Sequence, residues 1–286
     1  MRLRGRVNTA QVEDRRGSRR GVAVGGGGVG IVGLVIVVIY ALAGGGGSGA
    51  ADALRQLQAP SSATQDAQPL SCPKEADTNN ACFVAAVVND VQETWATIFA
   101  DGNQQYRTTK LVLFTDSTSS GCGEASVATG PFYCPADGKV YLDLGFFQEL
   151  RSRFGAPGDF AQAYVVAHEF GHHVQDLLGT SDRVSRDAQR RPGQANTLSR
   201  SLELQADCFA GVWAHETSAQ LDASDFNEAL DAAKAVGDDR LQRQAGQRVN
   251  PETWTHGSSA ERMSWFRRGA AAGNPDDCDT FSAARG

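Results

Sequence analysis

His168-Glu169-Phe170-Gly171-His172 places two imidazoles four positions apart, with a carboxylate directly after the first, inside an apolar run that reads as helix. On a helix, residues i and i+4 lie one above the other, so both rings can reach one metal ion while Glu169 leans toward the neighbouring coordination position. Imidazole pairs at this spacing suit zinc, and a carboxylate beside them can act as a general base. The competing reading is a buried polar cluster. With only five histidines in the chain, chance seldom produces the spacing.

A catalytic zinc keeps three protein ligands and one open position for water. Glu203 is the candidate third ligand. It opens the segment Glu203-Leu204-Gln205-Ala206-Asp207-Cys208-Phe209, whose apolar residues recur at helical spacing. Asp207 falls one turn later on the same face, where a carboxylate can accept the second N–H of a ligand histidine and fix its tautomer. Two solvated charges on a surface helix would be the bland alternative, but apolar residues surround both positions.

These residues carry a resemblance. An HExxH helix followed by a Glu-x-x-x-Asp helix resembles the gluzincin arrangement of thermolysin-type peptidases, and the chain as a whole resembles the bacterial putative neutral zinc metallopeptidase family. The matching stretches include Val12-Glu13-Asp14-Arg15-Arg16-Gly17, Gly130-Pro131-Phe132-Tyr133-Cys134-Pro135, Gly158-Asp159-Phe160-Ala161, Gly237-Asp238-Asp239, Thr255-His256-Gly257 and Cys278-Asp279-Thr280-Phe281. The resemblance implies a zincin-like domain, a zinc cofactor (Zn2+), and hydrolysis of peptide bonds in a peptide or protein substrate.

Charge is distributed unevenly along the 286 residues. The first 21 hold seven arginines against Glu13 and Asp14, a net +5, which leaves −11 for the remainder of a chain at −6 overall. An acidic remainder argues against nucleic acid as a partner, since phosphate binding relies on basic patches. From Gly21 to Gly46 no residue is charged, and Val29 to Ala43 is almost wholly aliphatic. Its strongest part is shorter than the ~20 residues that cross a hydrocarbon core, with flanking glycines adding uncharged length. Arginines on the N-terminal side alone predict, by the positive-inside rule, a single-pass transmembrane helix in the bacterial cytoplasmic membrane, with a cytoplasmic N-terminus and an exported remainder. The alternative is a secreted protein after signal-peptide cleavage near Ala43. The expected divisions are a basic cytoplasmic arm at 1–21, a Gly-rich transmembrane segment at 22–46, a flexible linker at 47–69 and a zinc metallopeptidase domain at 70–286.

All six cysteines follow the membrane segment and none forms a C-x-x-C pair, which reads as disulfides in an oxidising compartment. Proximity favours Cys72 with Cys82 and Cys122 with Cys134, leaving Cys208 with Cys278. A buried free thiol is the other reading of Cys208.

Helical periodicity predicts helices at Phe83–Phe99, Gly145–Phe154, Asp159–Leu178 (stopped by Gly179), Leu198–His215, Ser224–Val236 and Ser258–Arg268, the last with a Ser258/Glu261 capping box. Lys110–Phe114 and Lys139–Asp143 read as strands, and polar Thr180–Gln194 as a mobile loop. Strands before clustered helices indicate an α+β class, a small sheet with a mostly helical remainder.

Zinc held by His168, His172 and Glu203 would lower the pKa of water to about 7, with Glu169 as the general base that returns the proton to the leaving amine. His256, followed by a glycine, is the expected second stabiliser of the developing oxyanion, against a purely structural role; Tyr133 and Tyr141 are rivals whose default role is core packing. His173 is rotated about 100° from His172, which suits packing or an outer hydrogen bond. His215 is expected at a helix C-terminus. Asp238 and Asp239 read as a solvated turn or cap rather than a calcium site, and Arg262 as a partner for one of them. Two other functions fit the same residues: a zinc amidase acting on peptidoglycan, and a non-catalytic exported metal-binding module. Oligomeric state is not legible.

Overall fold

The computed structural model describes residues 7–17, 68–72 and 80–283. In chain order the elements are β1 (Val12–Asp14), α1 (Asn80–Asp101), β2 (Leu111–Phe114), β3 (Ser117–Ser120), β4 (Gly123–Ser126), β5 (Phe132–Cys134), β6 (Lys139–Asp143) and α2 (Gly145–Ser152). Seven further helices follow: α3 (Asp159–Leu177), α4 (Thr180–Arg190), α5 (Ala195–Glu216), α6 (Ala223–Ala235), α7 (Asp238–Gln244), α8 (Ser259–Ala272) and α9 (Thr280–Ala283). The class is α+β, as expected. The predicted transmembrane segment lies outside the described residues, and among those described no helix is long and apolar enough to cross a membrane.

A four-stranded sheet runs in the order β1-β2-β6-β5. β1, β2 and β6 are parallel, and β5 closes the far edge antiparallel to β6. β2 is buried along its whole length (Leu111, Val112, Leu113, Phe114), the pattern of a strand covered on both faces. A separate hairpin pairs β3 with β4.

The participation of β1 is unexpected. Residues 1–21 read as an arm detached from the domain, yet Val12, Glu13 and Asp14 pair in register with Leu111, Val112 and Leu113. Three residues are too short a run to register as a strand by alternation, and the arginines around them dominate the composition.

Helix α3 has too many apolar residues for a surface helix: its buried positions run almost continuously from Phe160 to Val174. It packs against α1, α5 and α6, with β5 at its sheet side. Phe160 stacks on Trp213 of α5, with ring centroids 5.5 Å apart. Each such buried aromatic contributes about 1.5–3 kcal/mol over leaving it exposed.

Close helix crossings depend on glycine. A Cβ on Gly269 of α8 would lie 1.9 Å from the Cys208 carbonyl oxygen, and one on Gly211 of α5 would lie 2.2 Å from that of Phe266. Gly171, inside the HExxH stretch, lets α3 approach α5: its added Cβ would sit 3.1 Å from Ala206 Cα.

Thr180–Gln194 is not a loop. Gly179 adopts φ 67°, ψ 13°, ending α3 and immediately preceding α4, and Pro192–Gln194 forms a 3-10 turn. The stripe that buries α4 is Thr180, Val184 and Ala188, one residue per turn, which the surrounding charges conceal in a composition reading. The capping box of α8 is present, with Ser258 receiving the Glu261 amide and Glu261 accepting from Ser258.

The cysteines pair as proximity suggests: Cys72–Cys82, Cys122–Cys134 and Cys208–Cys278, with Cα separations of 5.5, 5.8 and 5.6 Å. Cys208 is therefore not a free thiol. Its bridge ties α5 to the chain just before α9, across 70 residues of sequence.

Candidate metal centre

Two helices build the site. His168 and His172 project from successive turns of α3, and Glu203 faces them from α5. Glu203 Oε2 lies 3.3 Å from His168 Nε2 and Oε1 lies 3.6 Å from His172 Nε2. One ligand atom from each of the three side chains falls within 4.8 Å of the others, so the donor set converges as a single cation requires. Two nitrogens and one carboxylate oxygen match the preferences of zinc.

Each imidazole is oriented from behind. His168 Nδ1 is 2.9 Å from Asp207 Oδ1. A carboxylate accepts, so the proton belongs on Nδ1 and the Nε2 lone pair points at the site. His172 Nδ1 is likewise 2.9 Å from Gln175 Oε1. Gln175, a residue the sequence reading passed over, is fully buried and donates through Nε2 to the Leu202 carbonyl at 2.7 Å and to Gln205 Oε1 at 3.2 Å. Gln205 donates in turn to the carbonyl of Cys278 at 3.0 Å. The second imidazole thus rests on a chain of amides that ends at the Cys208–Cys278 bridge.

Asp207 is held from the other side by Arg262, whose Nε and Nη2 each donate to it at 2.8 Å. Tyr164, one turn before His168 on the same face of α3, also donates to Asp207. The pairing of Arg262 with Asp238 or Asp239 expected from the sequence is corrected: its partner is Asp207, because α8 crosses α5 there. Burial opposes the Asp207 charge, but Arg262 and His168 overcome it and hold the carboxyl below its usual range. Burial likewise opposes charge on Glu203, and His172, His256 and His168 outweigh it, so this carboxyl is ionised. Burial disfavours a charged His168, yet Asp207 and Glu203 push its pKa up to about 10. A cation at the Nε2 side competes with that proton.

Glu169 is 8% exposed and lines the same cavity, of about 320 Å³, as the three candidate ligands. Burial raises its pKa, against the pull of His168 and His172. His256 lines the cavity too. Its turn is held by Asp238, whose Oδ2 accepts the amides of Thr255, His256 and Gly257 at 2.9, 2.7 and 3.0 Å, while Oδ1 lies 3.2 Å from His256 Nδ1. Asp238 is 6% exposed, so of its two readings, solvated turn or cap, the first is corrected: it stands in the first turn of α7 and its carboxylate caps the amides of the 255–257 turn. Burial lowers and Glu203 and Asp238 raise the His256 pKa, with a net rise.

The rivals separate. Tyr133 borders the cavity and donates to Asp176 at 3.1 Å, whereas Tyr141 stacks on Phe132 and donates to Asp137 away from it. His173 points to the other side of α3, toward Tyr133 and the Arg107 carbonyl, an outer role as expected. His215 lies in the last turn of α5 against the Ala270 carbonyl. The apolar flank of the cavity includes Phe132, Phe146, Phe154, Val165 and Leu241.

Fold and site together present a helix-borne HExxH motif faced by a glutamate from a second helix. Residues 1–281 match the family described as "Putative neutral zinc metallopeptidase", and the chain belongs to it. It is 44% identical to "Uncharacterized protein YpfJ" of Escherichia coli strain K12 over 287 aligned positions, covering 98% of this chain and 99% of the relative. It is also 46% identical to "Uncharacterized protein Rv2575" of Mycobacterium tuberculosis strain H37Rv over 228 positions, 74% of this chain and 75% of that one. No solved structure matches the chain.

Proposed function

We propose that this protein is a zinc-dependent peptidase that hydrolyses peptide bonds, with Glu169 as general base. The observation that carries the reading is the convergence of His168, His172 and Glu203 in one cavity with Glu169 beside them and His256 facing them. His168, His172 and Glu203 would hold the zinc, which would supply Lewis-acid chemistry toward water and a carbonyl. Glu169 takes a proton from the attacking water and passes it to the departing amine, a role favoured by burial that raises its basicity. His256, oriented through Nδ1 by Asp238, donates from Nε2 to the oxygen on which charge develops. The apolar flank offers room for a bulky hydrophobic side chain of the substrate. Three disulfides support an oxidising compartment for the domain.

Glu169→Gln tests the base. The variant is expected to keep its zinc content and melting temperature while peptide hydrolysis falls by more than about 100-fold. Undiminished cleavage of a denatured protein by purified Glu169→Gln enzyme sinks the mechanism. Failure of the parent enzyme to cleave any peptide, with release of amide-linked muropeptides instead, transfers the site to the peptidoglycan amidase reading.

A further inference from the structure

Strand β1 constrains where the two ends of the uncharged stretch can lie. Beyond its three-residue register with β2, the chain is fixed on both sides. Arg15 N donates to the Leu113 carbonyl at 2.7 Å, and Gln68 N donates to the Asp14 carbonyl at 2.8 Å, so the described residues before and after the uncharged stretch meet at one edge of the sheet.

Side chains reinforce the contact from three directions. Val12 is 6% exposed within the main core. Asn89 of α1 donates to Gln11 Oε1 at 2.6 Å and to the Asn8 carbonyl at 3.1 Å, while its own oxygen accepts the Asn8 amide at 2.6 Å. Lys139 of β6 pairs with Glu13 at 2.9 Å, and Arg15 reaches the Ser119 carbonyl of β3 at 3.1 Å. An arm lodged this way is part of the domain.

A single crossing between Gly17 and Gln68 would put β1 and β2 on opposite faces of the bilayer, which their hydrogen bonds forbid. Two crossings need roughly 40 apolar residues, more than the uncharged run from Gly21 to Gly46 supplies. The basic signal that suggested a cytoplasmic arm is also smaller than its arginine count. Arg15 is paired with Glu13 at 2.9 Å and Arg16 with Asp14 at 2.6 Å, both within the sheet edge. We infer that the N-terminal strand and the domain that carries the candidate metal centre occupy the same side of any membrane the protein meets. Cleavage after Ala43 is disfavoured for the same reason, since it would sever β1 from the domain.

The six native cysteines are all bridged, so one added cysteine is a unique thiol. Ala10→Cys and Gln105→Cys, both exposed, would be made separately in the full chain and exposed to a membrane-impermeant maleimide in intact and in permeabilised cells. The two positions are expected to share one labelling pattern. Opposite patterns, or a mature chain that lacks residue 10, overturn the inference. Val12→Asp provides a second readout, independent of topology reporters. It should lower the melting temperature of the full chain by about 5–10 °C if β1 belongs to the domain, and an unchanged melting temperature overturns the inference.

Discussion

Asp207 shows how much a single buried carboxylate can be asked to do. It orients His168, receives both arms of Arg262 and accepts from Tyr164, all with no exposure to solvent. Removing it leaves the Arg262 guanidinium buried without a counter-charge, which costs about 3–5 kcal/mol. Asp207→Ala is therefore expected to lose folding stability of that order as well as zinc affinity, and denaturant unfolding with a metal-competition titration reads both. Gln175→Ala separates the two effects, because it strips the orienting oxygen from His172 without exposing a charge. Zinc affinity should fall about 10–100-fold, while stability falls by about 1–3 kcal/mol as the Leu202 carbonyl and Gln205 Oε1 lose their buried donor; equal affinity would reduce Gln175 to a packing residue. That His168, His172 and Glu203 come together was legible because helical period and metal chemistry fix the spacing such a set needs. Gln175 was legible in principle, three residues after His172 in an apolar helix, but an amide has no signature charge. Asp238 and Arg262 were not legible: their partners lie 18 and 55 residues away, and only the crossing of helices brings them together.

Helix packing decides whether those partners meet. α5 carries Glu203 and Asp207, α8 carries Arg262, and the two cross where Gly211 and Gly269 remove side chains from the contact. A methyl at position 269 would occupy the space of the Cys208 carbonyl, one residue from Asp207. Gly269→Ala is expected to destabilise the fold by about 1–3 kcal/mol through overpacking, and to weaken zinc binding by displacing Arg262 from Asp207. Gly193→Ala, where an added methyl meets nothing within 4 Å, is the control and should change stability by no more than about 0.5 kcal/mol. Equal effects of the two substitutions would show that the crossing is not tight. At this scale the sequence was readable wherever periodicity was strong, as in α1, α3 and α5. It failed where a strand is short and lacks an apolar run as long as that of β2, or where a buried stripe is one residue wide. β1, β3, β4 and β5 have three or four residues each, and α4 hides Val184 and Ala188 among arginines and aspartates.

At the scale of the molecule, the candidate ligands join two elements that are separate in sequence. α3 supplies both imidazoles and α5 the carboxylate, with the Cys208–Cys278 bridge and the Gln175–Gln205 amide chain behind them. A cation at this point links the helices in the folded state, and the unfolded chain offers no preformed site, so zinc should stabilise the fold by mass action. Free zinc at about 100 times its Kd adds about 2.7 kcal/mol, which for a domain of this size is a rise in melting temperature of roughly 5–10 °C. A chelator should reverse the rise. Glu203→Ala retains both histidines but loses the link between α3 and α5, so its melting temperature should respond to zinc weakly or not at all. An equal zinc response in the parent chain and in Glu203→Ala would remove Glu203 from the coordination set, and with it the claim that the two helices share one ion.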